Sequence, residues 1–307
     1  MGAPKEKGRL SLGKAKLKSC NGCGTRFPES RAQCPSCRAW DFGAPRGKKY
    51  DDGTVLASEV SHIPIRMLST GPWDECFGEE QQPDGSVRRG IPVVGITLIS
   101  GDPGAGKSTI ALQLSESIIE LTGREVLYIA KEEATSQVIS RMKRLKFKQM
   151  DKLRLYPIEA SSDLAVIFET RKPAAIIVDS LPKLIPNTED AVTFVENLKD
   201  YVVALESPAL VINHIIKGGD MAGLEKLQHA VDTTLDFLVD NPDDENNKVR
   251  YLNVKKNRFG PDGISVPFLM TATGLIAMPQ RDPPGGRGDD GANDDDEDEE
   301  EEGEDDE

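Results

Sequence analysis

The sequence predicts an α/β fold, a mostly parallel sheet with helices on both faces and an antiparallel extension, joined to a small N-terminal four-cysteine zinc knuckle and a disordered acidic tail. Three observations predict it. From 91 to 278, short β-branched runs alternate with amphipathic segments, and strands separated by helices pair in parallel with both sheet faces covered. After about residue 232, strand-like runs follow one another with no helical period between them, which suits antiparallel pairing. The two ends of the chain differ sharply in composition from this body.

A chain of 307 residues with 37% hydrophobic content is long enough for one large core and an appendage. Its net charge of -14 is local in origin. Residues 289–307, DDGANDDDEDEEEEGEDDE, hold 15 acids and no base, and the remainder of the chain has 37 acids against 38 bases. The first 50 residues carry 12 Lys/Arg against Glu6, Glu29 and Asp41. A basic head and a polyanionic tail suggest a polyanion at one end and a basic partner, or self-masking, at the other; a solvated, inert charge run is the alternative for the tail. No stretch approaches the roughly 18 apolar residues of a membrane span, and MGAPKEKGRL lacks a signal-peptide core. A cytoplasmic protein without membrane partners is expected, with its thiols reduced.

In order along the chain, residues 1–45 form the basic segment with the cysteines, and 46–90 a linker leading into the main domain, ending in GEEQQPDGSVRRG, read as an exposed loop. The main domain spans 91–278 and the acidic tail 279–307. VVGITLIS (93–100), EVLYIA (125–130), AAIIVD (174–179) and PALVIN (208–213) read as buried strands. Val192, Val195, Leu198, Val202 and Leu205 recur at helical spacing, with Thr188 able to cap and Glu189 and Asp190 in the favourable first turn. TTLDFLV, VRYLNVKK and SVPFLMT then supply the antiparallel extension.

Cys20, Cys23, Cys34 and Cys37 make a C-x2-C-x10-C-x2-C array, in which each pair closes a tight turn on one ion. Four thiolates meet tetrahedral Zn2+ with no open position, so the site is read as structural zinc, with a redox or disulfide role as the weaker alternative.

GDPGAGKST fits the phosphate-binding pattern G-x-x-x-x-G-K-[ST] over Gly101, Asp102, Pro103, Gly104, Ala105, Gly106, Lys107, Ser108 and Thr109. Its glycines let backbone N–H groups curl around phosphate oxygens, Lys107 brings a point charge to the β and γ phosphates, and the Ser108 hydroxyl can ligate Mg2+. The motif lies between a strand and an amphipathic helix, the context that gives it meaning, and implies ATP. Asp179 ends a buried strand, where an acid can hold Mg2+ through water; capping a helix is its alternative. Glu132 and Glu133 follow another strand. Either can activate an attacking water or serve as a helix-start acid, and Glu132 is preferred as nearer the strand end.

Taken together, the cysteine array, TGPWDECFG, LISGDPGAGKSTIALQ, VLYIAKEEATSQ, IIVDSLPKL, INHIIKGGDMAGLEKLQHAVDTTLDF and KNRFG resemble the RadA (Sms) family of bacterial DNA repair ATPases within the RecA superfamily, over roughly residues 18–278. The resemblance implies a RecA-like P-loop NTPase core that assembles as a ring, expected to be a hexamer, on single-stranded or branched DNA, translocates, and drives branch migration in recombinational repair. It places Lys107, Ser108 and Thr109 on the P-loop, Glu132 on the catalytic acid and Asp179 on the Mg2+ acid. His214 falls on a polar γ-phosphate sensor, the segment with Lys217, Gly218 and Gly219 on a mobile loop facing DNA, and Lys256 and Arg258 on cations that reach the γ phosphate of a neighbouring subunit. Cellular members continue into a Lon-protease-like domain where this chain has its acidic tail. A compact ATPase of this kind also resembles a viral replication or recombination motor, so the compartment is a bacterial cytoplasm or an infected host cell. The leading expectation is a helicase or branch-migration motor. A mediator that loads proteins on single strands without unwinding shares every motif, and a RecA-like regulatory ATPase that binds proteins alone is a third reading. The acidic tail is expected to engage a basic replication or recombination protein or to mask the basic head.

Overall fold

The computed structural model of the protein describes residues 17–19, 25–28, 65–82, 84–101, 103–157, 163–214, 221–240 and 248–278. The four array cysteines, Asp102, Lys217 to Gly219 and the acidic tail lie outside these residues. Strands β1 (Leu17–Ser19) and β2 (Arg26–Pro28) pair antiparallel with Ser19 opposite Arg26. Next come β3 (Met67–Leu68), β4 (Gly78–Gln81) and β5 (Val87–Pro92), a small sheet in the order β3-β5-β4.

GEEQQPDGSVRRG is therefore a β-hairpin and not a loop. Glu79 and Arg89 face each other across β4 and β5 and form an ion pair at 3.2 Å. The turn is tied by Asp84, which accepts from the Ser86 N–H and hydroxyl, and Gly85 takes the positive φ the turn needs. Its polar composition reflects strands exposed to water, which composition alone does not separate from a loop.

The main sheet is built from β6 (Ile96–Gly101), helix α1 (Lys107–Thr122), β7 (Val126–Ala130), α2 (Thr135–Arg144), β8 (Leu153–Tyr156), α3 (Leu164–Arg171), β9 (Ile176–Asp179), α4 (Leu181–Leu184), α5 (Thr188–Leu205), β10 (Ala209–Ile212), α6 (Met221–Ala230), β11 (Thr233–Val239), β12 (Val249–Asn257), β13 (Ser265–Thr271) and β14 (Gly274–Ala277). Nine strands run in the order β14-β13-β12-β11-β6-β10-β9-β7-β8. Those from β8 to β11 are parallel, each of the first four connections carrying at least one helix, as the alternating pattern requires.

Two boundaries differ from the sequence reading. β11 pairs parallel with β6 and antiparallel with β12, so the antiparallel extension begins one strand later than residue 232. The α5 cap is Asn187, whose side chain accepts from Asp190 N at 3.0 Å; Thr188 is the first helical residue. Asn and Thr are both capping residues, and the backbone turn chose the earlier one.

Helices α1 and α2 cover one face, where Ile110, Leu114, Ile118, Val138 and Met142 pack with Tyr128, Ala130 and Ile177 and with Leu252, Val254 and Phe268 of the extension. Helices α3 to α6 cover the other, with Phe168, Leu181, Val195, Leu198 and Leu227 on Ile96, Leu98 and Val178. TGPWDECFG lies against the extension, where Trp73 stacks on Phe268 at 4.4 Å between ring centroids.

Candidate nucleotide site

The C-terminal ends of the parallel strands bring the chemistry together. β6 leads into the P-loop, and two glycines there are dictated by geometry. Gly101 has φ 140°, and a Cβ on it would stand 2.1 Å from the Phe237 carbonyl oxygen of neighbouring β11. Gly106, at φ 112°, starts α1 and accepts from Thr109 N and Ile110 N. The helix N-terminus so formed turns the positive end of its dipole toward the loop. Lys107 is buried and donates to Gly101 O at 2.6 Å, which folds the cation back over its own loop.

Asp179 ends β9, two strands from β6, with Ala130 of β7 directly opposite. It is 2% exposed. One carboxylate oxygen, Oδ2, accepts from the Tyr128 hydroxyl at 2.5 Å, and the other, Oδ1, is buried with no hydrogen-bond partner among the described residues. Burial raises the carboxyl above its usual range, the Tyr128 and Ser108 hydroxyls oppose that rise, and Glu132 and Glu133 add to it. An orphaned buried carboxylate oxygen beside a serine hydroxyl is hard oxygen chemistry that suits Mg2+, so the residues present fit the dication the motif implies.

The loop after β7 is pinned to the same strand end. Lys131 N and Glu132 N both donate to Asp179 O, at 2.8 and 3.3 Å. His214 follows β10, which lies between β6 and β9, and its Nε2 meets Glu132 Oε2 at 2.5 Å. Ligand atoms of Glu132, Asp179 and His214 all lie within 4.8 Å of one another. The two glutamates are sorted by their partners: Glu132 faces Asp179 and His214, while Glu133 is taken by Arg141 of α2. The structure thus brings together Gly101, Lys107, Ser108, Glu132, Asp179 and His214.

Lys256 and Arg258 stand elsewhere. Thr233 pairs with Asn257 on one side and Thr97 on the other, whereas Phe237 pairs with Gly101. Four residues of strand, roughly 13 Å at about 3.3 Å each, therefore separate the row that ends β12 from the P-loop. Lys256 Nζ donates to Gln228 O and Val231 O at 2.7 and 2.8 Å, where the last carbonyls of α6 lack helical partners. Burial and the nearby Arg258 lower the Lys256 pKa, Asp232 opposes them, and Lys199 adds to the lowering. Arg258 approaches Asp232 Oδ1 at 3.4 Å.

Several participants were not found from the sequence. From sequence Tyr128 reads only as part of a buried strand; its signal is a phenol in an otherwise aliphatic run. Asp232 accepts from Ile96 N at 2.9 Å and from Lys199, and nothing local announces a contact made 136 positions away in sequence. Asn257 donates to Phe77 O at 2.6 Å and Glu79 N to Phe259 O at 2.8 Å, so KNRFG and TGPWDECFG hold each other.

A family model described as the KaiC ATPase matches residues 74–155. DNA repair protein RadA of Aquifex aeolicus is 28% identical over 274 residues, covering 85% of this chain and 59% of its own length. Its counterpart in Treponema pallidum is 30% identical over 285 residues, covering 85% and 58%. The chain is similar to these RadA proteins over 85% of its own length. It spans less than three fifths of the length of either RadA relative, 59% and 58%. The fold is shared with a KaiC-like protein from Pyrococcus horikoshii, which superposes with a TM-score of 0.56 at 17% identity, over 70% of this chain and all of that one. The flagellar accessory protein FlaH of Methanocaldococcus jannaschii gives 0.51 at 19% identity, over 62% and 91%. No helix among the described residues is long and apolar enough to cross a membrane.

Proposed function

We propose that the protein is an ATP-hydrolysing motor on single-stranded or branched DNA, acting in recombination, repair or replication. The observation that carries the catalytic half is the convergence of Lys107, Ser108, Glu132, Asp179 and His214 at neighbouring parallel strand ends. Gly101 to Thr109 cradle the phosphates, and Lys107 leaves Gly101 O for the β and γ oxygens. Ser108 and Asp179 would hold Mg2+, which would supply positive charge against the phosphates. Glu132 takes the proton of the attacking water, and His214, in contact with Glu132 and at the head of the segment with Lys217, Gly218 and Gly219, links the state of the phosphate to the loop that meets DNA.

Lys256 and Arg258 act on the nucleotide of an adjoining copy. Support comes from their separation from their own P-loop and from Arg258 being 55% exposed at the sheet's other edge. An arginine supplied in trans is worth about 10³ to 10⁵ in rate. This arrangement requires a homo-oligomer, read as a hexameric ring. The DNA half rests on the relatives' name, DNA repair protein, and on the basic head, which should bind with a steep salt dependence.

Cys20, Cys23, Cys34 and Cys37 are assigned structural Zn2+. The spacing supports this, as does the antiparallel pairing of β1 and β2, which bracket the first cysteine pair. Metal analysis of purified protein tests it, with about one zinc per chain expected from a four-cysteine site.

ATPase measured with and without single-stranded DNA, for wild type and Lys107→Ala, tests the reading. DNA-stimulated turnover lost in Lys107→Ala is expected; full turnover in the variant contradicts it, and turnover indifferent to DNA favours a protein-binding regulator. Strand displacement by the wild type separates a motor from a mediator.

A further inference from the structure

We infer that Tyr128 is a positioning residue for the Mg2+ carboxylate: its hydroxyl fixes Asp179 through Oδ2 so that Oδ1 is left pointing into the nucleotide site. This rests on the nucleotide-site reading above and deepens it.

The register explains how a strand-interior tyrosine reaches a strand-end acid. Tyr128 pairs with Ile177 and Ala130 with Asp179, and paired residues of parallel strands share a face. Tyr128 and Asp179 are thus diagonal neighbours on the α1 side, a spacing that an aromatic side chain can bridge. The residue directly across from Asp179 is Ala130, whose methyl group leaves room for the hydroxyl at the carboxylate. Tyr128 is wholly buried among Ile110, Ile118 and Ile177. A phenylalanine would fill this core as well, so only the hydroxyl calls for a reason. A hydroxyl buried without a partner is costly, and here its partner is the one buried acid of the site.

Consequences follow for the carboxylate. A carboxylate free to rotate presents either oxygen. With Oδ2 engaged by a donor in the rigid strand next door, the only unsatisfied oxygen is Oδ1. Groups that orient metal-binding side chains in this way are typically worth 10- to 100-fold in metal affinity.

The test uses Tyr128→Phe and the affinity of a fluorescent ADP analogue, measured in full-length protein with EDTA and across a Mg2+ titration. The expected result is an unchanged affinity in EDTA and a rise of about tenfold in the Mg2+ concentration at half effect. A double-mutant cycle with Asp179→Asn adds the decisive comparison, because removing the hydroxyl should have no further effect once the carboxylate is gone. An unchanged Mg2+ midpoint in Tyr128→Phe overturns the inference, as does a loss of nucleotide affinity in EDTA or an additive cycle, each of which marks a packing role. Wild-type protein that fails to bind the analogue overturns the nucleotide-site reading itself, and the inference with it.

Discussion

Two buried aspartates sit at opposite ends of the same parallel strands, and they are finished differently. Asp232, 4% exposed, lies at the N-terminal edge, where it accepts from Ile96 N and Lys199 and is approached by Arg258. Asp179, 2% exposed, lies at the C-terminal edge with one oxygen satisfied by Tyr128 and the other left open. A buried charge surrounded by donors fastens elements together, here β6, α5 and the turn after β12. One with an unmet oxygen holds a cost that a ligand can relieve. The difference separates structure from chemistry more sharply than burial does.

Substitutions at the two acids should therefore diverge. Asp232→Ala leaves Ile96 N without its acceptor and Lys199 with Val94 O in place of the carboxylate, and breaking such a pair should cost about 3 kcal/mol in urea unfolding while nucleotide affinity per folded molecule stays the same. An affinity loss equal to the stability loss would erase the contrast.

Asn257→Ala removes donors to Phe77 O and Pro261 O at 2.6 and 3.1 Å beside the same edge, and should cost about 1 to 2 kcal/mol. Because Asn257 links KNRFG to TGPWDECFG, limited proteolysis of the variant should cut first between 65 and 92.

Asp179→Asn should show the smallest stability effect and the opposite sign. Burial places the folded-state carboxyl above its unfolded value, so its contribution is favourable below the unfolded range near pH ~3.9 and is lost as pH rises through the folded value. In EDTA the asparagine variant should melt a few degrees above wild type at pH 7, with the gap closing toward pH 3.5, while turnover is lost. Equal melting temperatures at pH 7 would show that the open oxygen carries no cost.

The contrast also marks what the sequence makes visible. The parallel strands are legible because burial on both faces demands unbroken β-branched runs, and the P-loop because its glycines answer to backbone geometry. Asp179 and Glu132 are legible as acids at the ends of such runs. The Tyr128 contact needs β7 beside β9, and the Asp232 contacts need α5 over β6; strand order is set by the whole sheet and is absent from any local window. The hairpin of residues 78–92 was hidden because its strands are polar, and β8 because LRLY is short and mixed. Lys256 and Arg258 show the converse. Their motif suggests a task in another copy, and their contacts within one chain, on the end of α6 and on Asp232, are those of ordinary strand-end cations.

That last point admits a direct measurement. Lys107→Ala and Arg258→Ala proteins should each be nearly inactive as ATPases. Mixed in equal amounts under conditions of subunit exchange, they should regain about a quarter of wild-type turnover, the share of random head-to-tail interfaces that join an intact P-loop to an intact Arg258. A mixture no more active than its components would contradict an ATP site completed by a second copy.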